Sequence, residues 1–326
     1  MTAPMKFRTT GLARKLKPSA LPALLAHAEE WGVPVTQEDG RFRLDLWGAL
    51  AILAPVGEGY GIELGSPEEL FLRALQDAIS EAFAEQGAEI SWTDVAEGAL
   101  APGLALMKLA SAGLRSPGFL RLRVEGPEAP RFAAEHGLHF RLLLPPQDRA
   151  PIWPRVGPTG RVIWPRGEDR IHAPAYTTAD QGADWIEFEV FRHEGSPTCA
   201  WLDRDPLGRM VGILGPNGGL RPEGAPLLLF GDETAIPAVS RILRLSAQPD
   251  ARAWISCADP EDLGDLRRDP RATRATDLLA ALERVETPQG SHVWFAAHAS
   301  LARAARAHLL GRGLARTEFT VAAYWE

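Results

Sequence analysis

Gly231-Asp232-Glu233-Thr234-Ala235-Ile236-Pro237-Ala238 is the stretch of this chain best suited to chemistry. It follows the apolar run Leu227–Phe230 and leads into Ala-Val-x-Arg-Ile-Leu, which reads as buried strand, polar turn and helix start. Pro237 falls in a first helical turn, where a missing N–H costs nothing. A turn beyond the carboxyl end of a parallel strand offers backbone N–H groups and a helix N-terminus, so the segment is a candidate nucleotide or anion site. An ordinary strand-to-helix connection is the competing reading. Arg149, Arg155, Arg161, Arg166 and Arg170 form a second group, interleaved with Trp153 and Trp164 in a repeated Ile-Trp-Pro-Arg. Cations among exposed aromatics suit an anionic, partly planar chelate, and a loop of solvated arginines is the alternative. His136 and His139 fall in a predicted turn without further ligands, so no metal site is expected.

These residues need a scaffold, and composition bounds it. At 326 residues the chain holds two or three domains, with 45% hydrophobic and 24% charged content typical of a globular protein. Two cysteines, Cys199 and Cys257, make neither a disulfide framework nor a CxxC pair, so a reducing cytoplasm is expected. No apolar run is as long as a membrane span. Lys6, Arg8, Arg14, Lys15 and Lys17 form a basic lead-in with no apolar core behind it, unlike a signal peptide. The net charge of −7 argues against a nucleic-acid partner.

Along the chain, residues 1–95 read as a small α+β domain. Ser19–Trp31 is a predicted helix stopped by Gly32, and Arg41–Leu46 a half-buried strand. Ala49–Pro55 and Tyr60–Leu64 form a predicted hairpin about Gly57-Glu58-Gly59. The Gly57-x-Gly59-x-Gly61 spacing is therefore hairpin chemistry, not a dinucleotide fingerprint. Ser66-Pro67-Glu68-Glu69 reads as a capping box with proline at the first helical position, opening a helix to about Gln86. Residues 104–215 carry short runs at Gly118–Val124, Phe140–Leu144, Val162–Trp164, Trp185–Arg192 and Val211–Leu214, the pattern of an antiparallel barrel. From 220 to 326, the runs Leu227–Phe230, Ala253–Cys257, His292–Ala296 and Phe319–Ala322 alternate with helical patterns at Pro237–Leu245, Asp277–Val285 and Leu301–Leu310. That alternation predicts a parallel sheet with crossover helices, joined to the barrel by a hinge at Gly215–Gly219.

The segment Leu227–Leu243, LLLFGDETAIPAVSRIL, closely resembles the siderophore-interacting protein family of flavin-dependent ferric-siderophore reductases, relatives of the ferredoxin reductases. Further landmarks follow that family's order: Arg115-Ser116-Pro117 to Gly126, Phe140–Pro145, Tyr176-Thr177, Ser196–Trp201, Val293–Ala297 and the terminal Tyr324-Trp325. The resemblance covers roughly residues 104–326. It implies a flavin barrel at 104–215 and a nicotinamide-binding α/β domain at 220–326, behind an N-terminal domain of unknown function. FAD is then the implied cofactor, NAD(P)H the electron donor and a ferric siderophore the substrate.

Residue by residue, the resemblance puts Tyr176 on the flavin ring and Thr177 on its edge or ribityl chain. It puts Pro197, Thr198 and Cys199 around the diphosphate and His193 beside the adenosine. Gly231, Asp232, Glu233, Thr234 and Pro237 line the nicotinamide, with Asp259 accepting from a ribose hydroxyl. Thr234 and a swinging Trp325 are the implied catalytic pair, and Arg155, Arg166, Arg170 and Trp164 the chelate-binding group. Arg267, Arg268, Arg271 and Arg274 offer either a 2′-phosphate site or solvated charge.

Three departures matter. The family's Arg-x-Tyr-Thr-x-Arg is Pro174-Ala175-Tyr176-Thr177-Thr178-Ala179 here, so both arginines are gone, which weakens the implied flavin site unless Arg170, His172 or another group replaces them. Its Gly-Pro-Ala-Ser is Ser196-Pro197-Thr198-Cys199, and its Ala-Gly-Glu is Ala296-Ala297-His298. The alternatives are a family member with weak or no flavin that binds siderophore or haem, and a reductase using free flavin.

Overall fold

The computed structural model describes residues 4–14, 19–30, 33–46, 48–133, 137–217, 224–246 and 248–326. The chain forms two compact units, one of Met1–Leu104 with Pro145–Ile171 and one of Ala105–Leu144 with His172–Glu326.

The first unit opens with β1 (Phe7–Ala13), α1 (Ala20–Glu30), β2 (Val35–Glu38), β3 (Arg41–Leu46), β4 (Ala49–Val56), β5 (Gly59–Ser66), α2 (Glu69–Glu85) and β6 (Ile90–Trp92). Its six strands pair antiparallel in the order β2-β3-β4-β5-β1-β6. Alternation drives this sheet: Ala49, Ala51 and Leu53 of β4 turn inward, and with Ile62 and Leu64 they meet Leu72, Ile79 and Phe83 of α2. The predicted hairpin is present, with Gly57 at φ +59° in its turn. The predicted capping box is not. Helix α2 starts only at Glu69, because the Ser66 hydroxyl accepts from Glu68 N and closes a local turn instead of capping. Lys15, Lys17, Trp31 and Gly32 lie outside the described residues.

The barrel opens with β7 (Leu104–Ser116), β8 (Phe119–Glu125) and β9 (His139–Leu143). At Leu144 the chain leaves for the first unit and returns at His172, and these two residues bond each other through both backbone N–H groups. The excursion carries β10 (Arg155–Val156) and β11 (Val162–Ile163), which form a two-stranded sheet, with Arg155 also bridging Leu100 of the first unit. The run at Val162–Trp164 is therefore not a barrel strand, contrary to its β-rich composition. Its partners are in the first unit, where Val162 N donates to Asp77 and Arg161 pairs with Glu81. Then come β12 (Ala175–Gln181), β13 (Trp185–Phe191), α3 (Pro197–Leu202) and β14 (Met210–Asn217). The closed barrel runs β12-β13-β8-β7-β14-β9 around Met107, Leu122, Phe140, Phe188 and Ile213. The hinge residues Gly218 and Gly219 lie outside the described residues.

The last elements are β15 (Leu227–Gly231), α4 (Ile236–Leu245), β16 (Arg252–Ile255), β17 (Ala272–Arg274), α5 (Leu278–Arg284), β18 (His292–His298), α6 (Ala299–Gly311) and β19 (Phe319–Trp325). All pairs are parallel, in the order β17-β16-β15-β18-β19, so Leu227–Gly231 is the central strand, as its unbroken apolar run predicts. Leu227 and Leu229 face α4, while Leu228 and Phe230 face α5 and α6. Phe119 and Leu138 of the barrel join the α4-side core, so barrel and sheet share one apolar layer. No described helix is long and apolar enough to cross a membrane.

Candidate functional site

Three parallel strands end side by side at the sheet's carboxyl edge, and Asp232 gathers what they bring. Its carboxylate is 5% exposed yet fully engaged. Oδ1 accepts from Thr234 N at 3.0 Å and Thr234 Oγ1 at 2.6 Å, and Oδ2 from His298 N at 2.9 Å and Trp325 Nε1 at 2.8 Å. Donors from the turn after β15, from β18 and from β19 thus converge on one buried anion, whose desolvation is tolerable because every lone pair is used. A short 3₁₀ turn, Glu233–Ala235, follows, and Pro237 sits in the first turn of α4 as predicted. Gly231 has a packing reason of its own: a Cβ there would stand 2.5 Å from Ala235 Cβ. Glu233 Oε1 accepts from Ala258 N, and Asp259 caps the next turn by accepting from Glu261 N.

The barrel contributes its own cluster. Tyr176 Oη donates to Thr198 Oγ1 at 3.0 Å, and His172 Nε2 lies 3.1 Å from the same hydroxyl. Burial pushes the Tyr176 phenol up to about 12, so it stays protonated. Ser196 caps α3 by accepting from Cys199 N, and Pro197 occupies the first turn. Thr198 is 1% exposed, its hydroxyl already shared between Tyr176 and His172. Cys199 packs on the barrel core.

What joins the two clusters is the C-terminus. Tyr324 Oη lies 3.2 Å from His139 Nε2, and His139 Nδ1 lies 3.0 Å from Thr177 Oγ1. Tyr324 also meets Trp294 and His139 edge-on, and Trp325 meets His298 at 4.6 Å and 75°. His139 belongs to β9 and not to a turn, because its neighbour Phe140 is a barrel-core residue whose burial extends the strand. Burial and the nearby Arg241 guanidinium lower its pKa to about 4. Burial raises the Tyr324 phenol, with Asp232 adding to the effect.

The barrel–sheet seam is held by polar groups that sequence reading missed. Arg241 of α4 is 3% exposed and donates to the carbonyls of Phe132, Gly137, Leu138 and Thr178. Asp262 accepts from Ser116 Oγ and Gly118 N. Arg241 was visible only as the polar residue in Ala-Val-x-Arg-Ile-Leu, and nothing local marks an arginine as buried.

The remaining candidates fall on other elements. His193 is exposed and bonds the carbonyl of Glu194. Arg267 pairs with Glu261, Arg271 with Asp269, and Arg274 donates to the carbonyls of Cys257 and Ala258. Arg155, Arg166, Arg170 and Trp164 all belong to the first unit, where Arg155 donates to Gly98 O and Arg149 pairs with Glu168. His136 lies outside the described residues. Among the described residues no three His, Cys, Asp or Glu side chains are grouped to hold a metal ion. At the barrel rim, exposed Arg141 stands directly opposite Ala175 in the β9–β12 register, a cation the motif comparison overlooked.

Residues 225–326 match the family described as siderophore-interacting protein. A ferric vibriobactin reductase, ViuB, of Vibrio cholerae is 28% identical over 195 residues, covering 54% of this chain and 70% of the relative. An NADPH-dependent ferric-chelate reductase of Escherichia coli is 30% identical over 155 residues, covering 44% and 59%. Among solved structures, a siderophore utilization protein from T. fusca superposes with a TM-score of 0.54 at 25% identity, over 68% of this chain and 92% of that one. The closed barrel and the parallel sheet thus share the fold of that siderophore utilization protein.

Proposed function

We propose that this chain is a flavin-dependent reductase of ferric siderophores or related ferric chelates, drawing electrons from NAD(P)H in the cytoplasm. One observation carries the reading. The Tyr176–Thr177 rim of the barrel and the Gly231–Thr234 turn of the sheet are tied together by the two terminal aromatics, through His139 on one side and Asp232 on the other. The names of the relatives, reductases of ferric vibriobactin and of ferric chelates, point the same way.

The residues fit the ring parts of both cofactors. Tyr176 and Thr177 would hold the flavin ring, with the Ser196–Cys199 turn toward its diphosphate. Asp232, Glu233, Thr234 and Pro237 would line the nicotinamide, and Asp259 its ribose. A bound flavin supplies the redox chemistry, accepting a hydride and passing electrons singly to Fe(III). The chain's own work is to orient and to exclude water. Trp325, 47% exposed, rests at the sheet's ligand edge on one hydrogen bond and one ring contact, an arrangement that permits displacement. Fe(II) binds hard oxygen donors weakly, so reduction frees the metal from its chelate. The exposed Arg141 would supply the positive charge that Pro174 and Ala179 do not.

A second reading, a member that binds chelates or uses free flavin with low affinity, is favoured by those missing guanidinium groups and by the engaged Thr198 hydroxyl. FAD titration decides between them. Introducing Pro174→Arg with Ala179→Arg should tighten FAD by roughly tenfold or more, since a charged hydrogen bond contributes about 1.5–3 kcal/mol. If saturating FAD with NADH or NADPH reduces no ferric chelate, the enzyme reading falls and the binding reading stands.

A further inference from the structure

His139 has one ring proton and two partners, and the way it shares them has a consequence for the ligand. Thr177 Oγ1 lies 3.0 Å from Nδ1 and Tyr324 Oη 3.2 Å from Nε2. A neutral imidazole donates from one nitrogen and accepts at the other, so only two wirings exist. In the first, Tyr324 donates to Nε2 and Nδ1–H donates to Thr177. In the second, Thr177 donates to Nδ1 and Nε2–H donates to the phenol oxygen. The first leaves the Thr177 hydrogen unspent; the second consumes it.

Surroundings select the first. Burial keeps the ring neutral, and Arg241, which donates to the carbonyls of Gly137 and Leu138 just before His139, adds a fixed positive charge nearby. Tyr324, partly buried and near Asp232, holds its phenolic hydrogen firmly. Among the described residues Tyr324 Oη has no other hydrogen-bond acceptor, and buried donors are rarely left unpaired. Thr177 has no other described side-chain partner.

We infer that His139 is a positioning residue, its proton on Nδ1, that makes the Thr177 hydroxyl a donor toward the crevice and couples that polarity to the seating of Tyr324. The ligand edge recognised at Thr177 is therefore an acceptor, a ring nitrogen or a carbonyl oxygen. The ligand half of this inference rests on the flavin reading; the wiring does not.

Two measurements on the full chain test it separately. The first is a nitrogen-15 imidazole spectrum of the ligand-free protein. It should show a neutral His139 protonated at Nδ1 and bare at Nε2, and Tyr324→Phe should raise the Nε2–H population. A proton on Nε2 in the unmodified protein, or a pattern indifferent to Tyr324→Phe, overturns the wiring. The second is a double-mutant cycle on FAD affinity with Thr177→Val and Tyr324→Phe. The double variant should fall short of the product of the single losses by about threefold or more, within the range usual for coupled residues. Effects that simply multiply overturn the coupling. If no variant binds FAD, the flavin reading fails and the spectrum alone decides the wiring.

Discussion

His139 takes up a proton only near pH 4 in the folded chain, against an ordinary value of 6.5. Between those values the unfolded chain binds a proton that the folded chain refuses, so stability is level above about pH 6.5 and declines as the pH falls toward 4. The full shift corresponds to about 3 kcal/mol. Urea unfolding at several pH values should show that loss, and His139→Gln should flatten it. This residue was legible in the sequence only as a histidine without a metal site. Its role depends on Thr177, Tyr324 and Arg241, which lie 38, 185 and about one hundred positions away. Spacing cannot report such a meeting. Asp232 was nearer to legible, because strand, turn and helix around it are all local, but the indole it holds arrives from the other end of the chain.

Among the elements, α4 and β19 carry the most connection. Replacing Arg241 by alanine strips donors from four carbonyls at the barrel–sheet seam, and a loss of about 3 kcal/mol or more in urea unfolding is expected. The end of β19 divides into two roles. Tyr324 is partly buried, packed against Trp294 and His139, whereas Trp325 is half in solvent. Removing Trp325 and Glu326 alone should therefore leave the melting temperature within a few degrees, while nicotinamide affinity changes severalfold; the reverse result would make Trp325 a packing residue. The parallel sheet was legible because central strands must be apolar throughout, as Leu227–Phe230 is. The barrel was less so. β7, with exposed Lys108, Ser111 and Gly113 along one face, lacks a clean apolar run, and Val162–Ile163 has strand composition but the wrong partner. The capping box at Ser66 failed for a local reason, since a hydroxyl two residues from a free N–H closes a turn as readily as it caps a helix.

At the scale of the whole chain, the first unit is assembled from two separated stretches of sequence. Residues 145–171 depend on α2 and β6: Val162 on Asp77, Arg161 on Glu81, and Gly160 on the ring of Trp92. A fragment beginning at residue 105 carries the excursion without those partners. Limited proteolysis should cut it within 145–171 far faster than it cuts the full chain. The same division sets an order of events during translation. The six strands and α2 leave the ribosome long before β11, which follows β6 by roughly seventy residues. At about 5–20 residues per second, Trp92 and Asp77 stand uncovered for roughly 4–14 s. During that interval the nascent sheet presents a vacant berth, and any chaperone that attends this chain has its natural moment of contact there.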